Sequence, residues 1–168
     1  MSISNSTTYA EDELRVDFKE AMAHMCAPVT VVTTMDGDRP HGTTVSAVMS
    51  LSFEPLLIAV AMATTSESLS AITRAGTFGI NVLGAQQHAL AARFATKGDD
   101  KFTGTLWHQH DSIPRLDETA IWLSCQVDQI LPGGDHAIVV GAVTGVDTDP
   151  TAAPLTYHGR RFGTHTPH

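Results

Sequence analysis

The sequence has few of the features that mark disulfide-rich, membrane-spanning or nucleic-acid-binding proteins. Only two of its 168 residues are cysteine, Cys26 and Cys125, and their apolar neighbours predict reduced core thiols rather than a disulfide framework. No apolar run reaches the ~18 residues that a membrane-spanning helix needs. Acidic residues outnumber basic ones by 18 to 10, and the formal charge of −8 argues against nucleic acid as a partner.

Several common catalytic and nucleotide-binding motifs are also missing from the sequence. Neither GxGxxG nor GK[ST] occurs, so a Rossmann fingerprint and a P-loop are both unsupported. Ser124 and Cys125 lack the neighbouring base or elbow motif that acyl transfer needs. The nine histidines have no carboxylate or thiolate partners at ligand spacing, and we expect no metal site. The N-terminus lacks the regions of a secretory signal, which together with reduced cysteines predicts a cytoplasmic protein.

The length and the 42% hydrophobic content are typical of one globular domain with a buried core. We expect this domain to span residues 1–168, with loose ends at 1–10 and 163–168. Strand patterns and turn signals outnumber helical patterns, which predicts a mainly β fold, an antiparallel barrel with short peripheral helices. Helices are predicted over 11–25, 66–75 and 86–95, strands over 29–34, 39–47, 56–62, 77–83, 120–131, 136–146 and 155–162, and irregular chain over 96–105 and 106–118.

Residues 41–62 form the segment around which the rest of the chain is organised. Small and hydroxylated residues dominate positions 42–52, Pro55 interrupts the chain, and an unbroken apolar run over 56–62 predicts a buried strand. Small side chains leave room for a flat group against the backbone, and hydroxyl and N–H groups can bind an anion or a ring edge. Two interpretations follow: the floor of a cofactor site, or a Ser/Thr-rich surface strand.

Two other places in the sequence carry polar groups suited to a ligand. Gly134-Asp135-His136 follows a turn and opens a strand, and an imidazole at a strand end can bind an amide or a phosphate. Lys97 and Lys101 lie in a charged loop, where their ammonium groups can neutralise a phosphate. The alternatives are a turn histidine without a role and a solvated surface loop.

Six short motifs occur in order along residues 18–162, and together they make the sequence similar to the short-chain flavin reductase family, the FMN-binding split-barrel enzymes. Gly134-Asp135-His136 matches the family's GDH motif. Residues 42–47 (GTTVSA), followed by Ser50 and Ser52, resemble its flavin-lining segment. The remaining matches are PVTVVT at 28–33, FGINVL at 78–83, DKF at 100–102 and YH at 157–158.

This resemblance implies an antiparallel, Greek-key-like split barrel that forms a homodimer with flavin at the subunit interface. It implies hydride transfer from NADH or NADPH to FMN or FAD without a catalytic side chain, and delivery of reduced flavin to a partner flavin-dependent monooxygenase. Two rival functions remain open. One is a split-barrel protein that holds FMN without reducing it, as a sensor or electron carrier, and the other is a β-barrel ligand binder without flavin.

The resemblance also implies roles for residues around the flavin ring. The isoalloxazine and ribityl chain would lie on Thr44, Val45, Ser46 and Ala47. Asn81 would lie on the strand behind the flavin.

Further roles are implied for the flavin phosphate and for the hydride donor. Hydroxyls and a helix N-terminus would meet the phosphate at Thr65, Ser66 and Ser68. Lys101, with Lys97, would hold charge there, and His136 would contact the nicotinamide nucleotide. Many family members have Arg-Ser where this chain has Thr65-Ser66, which leaves both FMN and FAD open.

Overall fold

The computed structural model describes residues 5–98 and 101–167 of the chain. The helices are α1 (Asn5–Ala23), α2 (Glu67–Ala75) and α3 (His88–Ala95). The strands are β1 (Ala27–Pro28), β2 (Thr30–Asp36), β3 (Arg39–Val45), β4 (Val48–Phe53), β5 (Leu56–Ala63), β6 (Thr77–Val82), β7 (Trp107–His110), β8 (Ile113–Leu116), β9 (Ile121–Gly133), β10 (His136–Thr148), β11 (Leu155–His158) and β12 (Arg161–Thr164). No helix within these residues is long and apolar enough to cross a lipid bilayer.

Seven strands form one antiparallel sheet in the order β3-β2-β6-β9-β10-β5-β4. The two outermost strands, β3 and β4, are consecutive in the chain, and only Ser46 and Ala47 separate them. So short a connection between opposite edges requires the sheet to curl round on itself. The Ala61 N–H of β5 donates to the Ala47 carbonyl oxygen at 2.9 Å, so the connecting residue continues the pairing of β4 with β5. The predicted antiparallel barrel is confirmed.

The core has two hydrophobic clusters, one on each face of β2. Alternation along this strand places Val32 in the first cluster and Val31 in the second. The first lies inside the curled sheet, where strands from opposite halves of the strand order meet, and α2 packs against it through its apolar face. The second lies outside the sheet and includes Phe94 of α3. The two clusters hold α2 and α3 at opposite sides of β2 and β3.

Helix α2 begins and ends where its sequence predicts. The Ser66 Oγ accepts a hydrogen bond from the Leu69 N–H at 3.4 Å, which satisfies one of the unpaired donors of the first turn. Gly76 ends the helix in the left-handed region at φ 70°, and its N–H donates to the Ile72 carbonyl oxygen. The predicted helices at 66–75 and 86–95 and the predicted strands between 29 and 146 are confirmed to within a few residues.

Two predictions of irregular or interrupted chain are wrong. Residues 106–118 contain the hairpin of β7 and β8, and Pro114 lies within β8 opposite Gln109. Proline is tolerated there because this two-stranded sheet has only edge strands. The small-residue segment also continues beyond β3 into a further strand, β4, which pairs with β5 across the Glu54-Pro55 turn.

Predictions at the chain ends and at one cysteine need correction. Helix α1 begins at Asn5 rather than residue 11, so 5–10 are helical, while residues 1–4 lie outside the described residues. The single last strand predicted over 155–162 is a hairpin of β11 and β12, which extends to Thr164. Cys125 is buried as predicted, whereas Cys26 is exposed. Burial raises the pKa of the Cys125 thiol to about 12.

Candidate functional site

Two adjoining cavities lie where β3 passes the N-terminus of α2. The larger has a volume of about 400 Å³ and the smaller about 280 Å³. Both are lined by Thr43, Ala63 and Ser66, so they share a boundary. A ligand with two chemically different ends can therefore occupy both at once.

The smaller cavity has the turn between β3 and β4 as its floor. Its lining includes Thr44, Val45, Ser46 and Ala47, together with residues from the end of β5. Ser46 and Ala47 are exposed, and their short side chains leave the backbone accessible. This floor suits a flat ring, because little side-chain volume stands above it.

Not every polar group on this floor is available to a ligand. The Thr44 hydroxyl donates to the Ala91 carbonyl oxygen at 2.7 Å, so it fixes β3 against α3. Thr43, by contrast, lines both cavities.

His136 lines the smaller cavity from the start of β10. Its Nδ1 lies 2.7 Å from the Asp135 carboxylate, and this hydrogen bond holds the pKa of Asp135 below its usual value. An ionised carboxylate can only accept, so Nδ1 carries the proton and a neutral ring presents Nε2 as an acceptor. Thr64 anchors the loop, because its N–H and its hydroxyl both donate to the Asp135 carbonyl oxygen at 3.0 Å.

The N-terminus of α2 forms one wall of the larger cavity. Thr65, Ser66 and Ser68 all line it, so the structure brings together the three hydroxylated residues nominated from the sequence. Ser66 uses its hydroxyl oxygen to cap the helix, whereas Thr65 is exposed at the cavity wall. The positive end of the helix dipole favours an anion at this wall.

Lys101 and Lys97 also line the larger cavity. The Lys101 Nζ donates to the Gly42 carbonyl oxygen at 3.1 Å and to the Phe94 carbonyl oxygen at 3.2 Å. An ammonium group has three N–H donors, so one remains for a ligand. Burial lowers the pKa of Lys101, and any anion beside it would counter that effect.

Gly42 allows the close packing that places Lys101. A Cβ at this position would lie 2.6 Å from Cε1 of Phe94, which is closer than real Cβ atoms approach. The absence of a side chain therefore lets α3 and the loop after it lie directly on β3. The signal in the sequence was the small residue itself, placed between His41 and the β-branched residues at 43–45.

Asn81 lies on β6 and lines neither of the two cavities. Its side chain is fully buried, and its amide N donates to the Val31 carbonyl oxygen at 3.0 Å and to the Thr33 hydroxyl at 3.1 Å. Its Oδ1 accepts from the Leu116 N–H at 2.8 Å. The side chain therefore ties three strands together, and both of its polar atoms are already hydrogen-bonded within the chain. All the other nominated residues line one cavity or both.

Three ionisable residues that line the larger cavity were not nominated from the sequence: Arg39, His41 and Glu67. Arg39 and His41 share a face of β3 with Thr43 because side chains alternate along a strand, and that period of two was the available signal. Burial, with a smaller contribution from Arg39, lowers the pKa of His41. The cavity thus combines several cationic or hydrogen-bonding side chains with a single carboxylate among its described lining residues.

The two cavities together fit a planar ring that carries an anionic tail. The floor of the smaller one accepts the ring, and the helix terminus and lysines of the larger one accept the anion. Among the described residues, no group of three or more His, Cys, Asp or Glu could hold a metal ion.

Comparison with known proteins agrees with this geometry. A family model described as "Flavin reductase like domain" matches residues 22–166. An NADH:FMN oxidoreductase of Rhodococcus qingshengii is 40% identical over 157 residues, which cover 90% of this chain and 82% of the relative. The reductase component of a 4-nitrophenol 4-monooxygenase/4-nitrocatechol 2-monooxygenase from Rhodococcus opacus is 37% identical over 154 residues, covering 92% and 83%.

Among solved structures, the chain is similar to a Streptomyces globisporus NADH:FAD oxidoreductase in complex with NAD and FAD fragments. The TM-score is 0.86 at 28% identity, and the match covers 91% of this chain and 93% of that one. The split-barrel fold expected from the sequence is therefore confirmed.

Proposed function

This chain belongs to the flavin reductase family, and we propose that it transfers a hydride from NADH to FMN or FAD at the two adjoining cavities. The observation that carries this proposal is the continuity of a small-residue floor with an anion-binding wall. Relatives named NADH:FMN oxidoreductase and NADH:FAD oxidoreductase support both the donor and the acceptors. The enzyme is a flavin reductase.

The enzyme supplies reduced flavin to a partner monooxygenase. A relative that matches over most of both chains is named as the reductase component of such a system. A reductase that hands its product to another enzyme needs an open site, and the exposed Ser46 and Ala47 provide one. The alternative of an FMN protein that does not reduce its flavin receives no support from these relatives.

We assign the flavin ring to Thr44, Val45, Ser46 and Ala47, and its phosphate to the wall of Thr65, Ser66 and Ser68 with Lys97 and Lys101. Bound flavin accepts the hydride itself, so the chain needs no nucleophile or strong base. Its residues instead bind and orient the flavin and the nicotinamide nucleotide. His136, held by Asp135, presents Nε2 to accept from the carboxamide N–H of the nicotinamide. NADPH stays open as an alternative donor.

We further propose that the chain is a single domain, forms a homodimer and works in the cytoplasm. The continuous seven-stranded sheet and the family match over residues 22–166 support one domain. Exposed apolar side chains on α1 and β4 support association with a second copy. The reduced cysteines favour a cytoplasmic location.

The decisive experiment follows the loss of NADH absorbance on mixing the protein with FMN, FAD or riboflavin, with NADPH as a second donor. We expect oxidation of NADH that requires both protein and flavin. Quenching of flavin fluorescence without NADH oxidation would favour the non-reducing alternative. Failure of FMN either to be quenched or to raise the Tm would favour a ligand binder without flavin.

A further inference from the structure

Glu67 stands where the anion-binding wall of the larger cavity would be expected to be most positive. Among the described residues that line this cavity it is the one carboxylate, and its side chain is exposed. The other charged lining residues are Arg39, Lys97 and Lys101. A lone acid among cations at a cavity suited to an anion needs a physical explanation.

The position of Glu67 in α2 places its negative charge at the helix terminus that lines the cavity. It is the first residue of the nine-residue helix and directly follows the N-cap, Ser66. A carboxylate in the first helical turn interacts favourably with the positive end of the helix dipole. The chain therefore supplies its own negative charge at the terminus that would otherwise attract a phosphate.

The charge of Glu67 also reaches across the cavity. Its carboxylate opposes the burial that lowers the pKa of Lys101, and it acts in the same direction on His41. It therefore acts on the cationic lining of the cavity as well as on the helix terminus. The N-terminus of α2 and Lys101 are the two groups that would hold a phosphate dianion, and the charge of Glu67 acts on both.

We infer that Glu67 sets the affinity of the larger cavity for the flavin phosphate, so that FMN binds more weakly than the cationic residues alone would hold it. The phosphomonoester of FMN carries two negative charges, and the Glu67 carboxylate adds a third beside them. Repulsion between these like charges raises the free energy of the complex. Riboflavin has no phosphate and escapes this repulsion. Weak binding suits a reductase that releases flavin to a partner, so the inference rests on the proposed function.

The test measures dissociation constants for FMN and riboflavin by flavin fluorescence quenching. Glu67→Gln keeps the size of the side chain and removes its charge. Glu54→Gln is the matched control, because it makes the same change in net charge at an exposed turn that lines neither cavity. Glu67→Asp keeps the charge and should behave like the wild type.

At low salt we expect Glu67→Gln to bind FMN about fivefold more tightly, and riboflavin unchanged to within about twofold. The gain should shrink as ionic strength rises. Equal FMN affinities for Glu67→Gln, Glu54→Gln and wild type would overturn the inference while leaving the reductase intact. A parallel change in FMN, riboflavin and Tm would also overturn it, because it would indicate a structural effect on α2. If wild-type protein neither binds nor reduces FMN, the proposed function fails as well.

Discussion

His136 illustrates how one hydrogen bond at the residue scale sets the chemistry of a side chain. The Asp135 carboxylate accepts from Nδ1 and fixes the ring so that Nε2 faces a ligand as an acceptor. We predict that His136→Ala raises the KM for NADH about three- to tenfold, which corresponds to one lost hydrogen bond. The Kd for FMN should change little.

Asp135→Asn serves as the positioning test, because an amide can accept or donate and no longer fixes the tautomer. Its KM for NADH should lie between those of wild type and His136→Ala, with kcat less affected. Steady-state rates at saturating FMN give both constants. An unchanged KM in His136→Ala would remove the reason for placing the nicotinamide beside this ring.

The two cysteines differ in reactivity because they differ in burial. Cys125 is 1% exposed and its pKa is raised to about 12, whereas Cys26 is exposed. The thiolate is the reactive form, so at about pH 8 a disulfide reagent such as DTNB should titrate one thiol per native chain. Denaturation should release the second. Rapid reaction in native Cys26→Ser protein would contradict the buried placement of Cys125.

At the scale of elements, the packing of α3 on β3 connects stability to the phosphate wall. Gly42→Ala would place a Cβ 2.6 Å from Phe94, and the overpacking should lower the free energy of unfolding by about 1–3 kcal/mol. Because Lys101 donates to the Gly42 carbonyl oxygen, the same change should weaken FMN binding. Thermal melts and flavin quenching measure the two effects.

Gly79→Ala is the control for this substitution. A Cβ there would meet the Trp122 ring in the core, and neither cavity is lined by Gly79. We expect a similar loss of stability with FMN affinity unchanged in the folded protein. Equal loss of FMN affinity in both variants would show that binding follows global stability and not the position of Lys101.

Elements with strong local signals were predictable from the sequence. Ser66 and Gly76 mark both ends of α2, and the turn at Gly37 follows the β-branched strand β2, so local chemistry and tertiary packing agree. Most of the candidate site was also predictable, because its residues lie in short continuous segments of the chain. The small residues at 42–47 and the Gly134-Asp135-His136 motif are each local in sequence.

Other features depended on contacts between distant parts of the chain. Asn81 has the polarity of a binding residue, but its partners on β2 and at Leu116 are brought to it only by folding. Strand β4 was missed because its small hydroxylated residues resemble a loop, while its large apolar residues are exposed. Side chains alternate along β4 as in any strand, but neither face of the strand is buried. The usual alternation of buried apolar and exposed polar residues was therefore missing from its sequence.

At the scale of the whole molecule, large apolar side chains stand exposed in two places. On α1 the stripe comprises Leu14, Phe18 and Met22, which are 69%, 62% and 43% exposed. On β4 the apolar patch comprises Met49, Leu51 and Phe53, at 56%, 44% and 84%. Exposed apolar groupings of this kind mark interaction surfaces in water-soluble proteins. Burial against a second copy would remove both from water.

The patch on β4 is the part of this surface that matters for the site, because β4 begins directly after Ala47 on the floor of the smaller cavity. A second copy seated on β4 would border the flavin ring. We therefore predict that the wild type sediments at twice the chain mass of 17.9 kDa, and that Leu51→Glu with Phe53→Glu sediments as a monomer with weaker FMN binding.

Leu106→Glu is the control for the double substitution, because Leu106 is 72% exposed and lies outside β4, directly before β7. It should stay dimeric and keep its FMN affinity. Sedimentation equilibrium gives the mass, and flavin quenching gives the affinity on the same samples. A wild-type chain that sediments at 17.9 kDa yet reduces FMN at full rate would show that one copy completes the site alone. The exposed residues of β4 would then have to face another partner, and the first candidate would be the monooxygenase that receives the flavin.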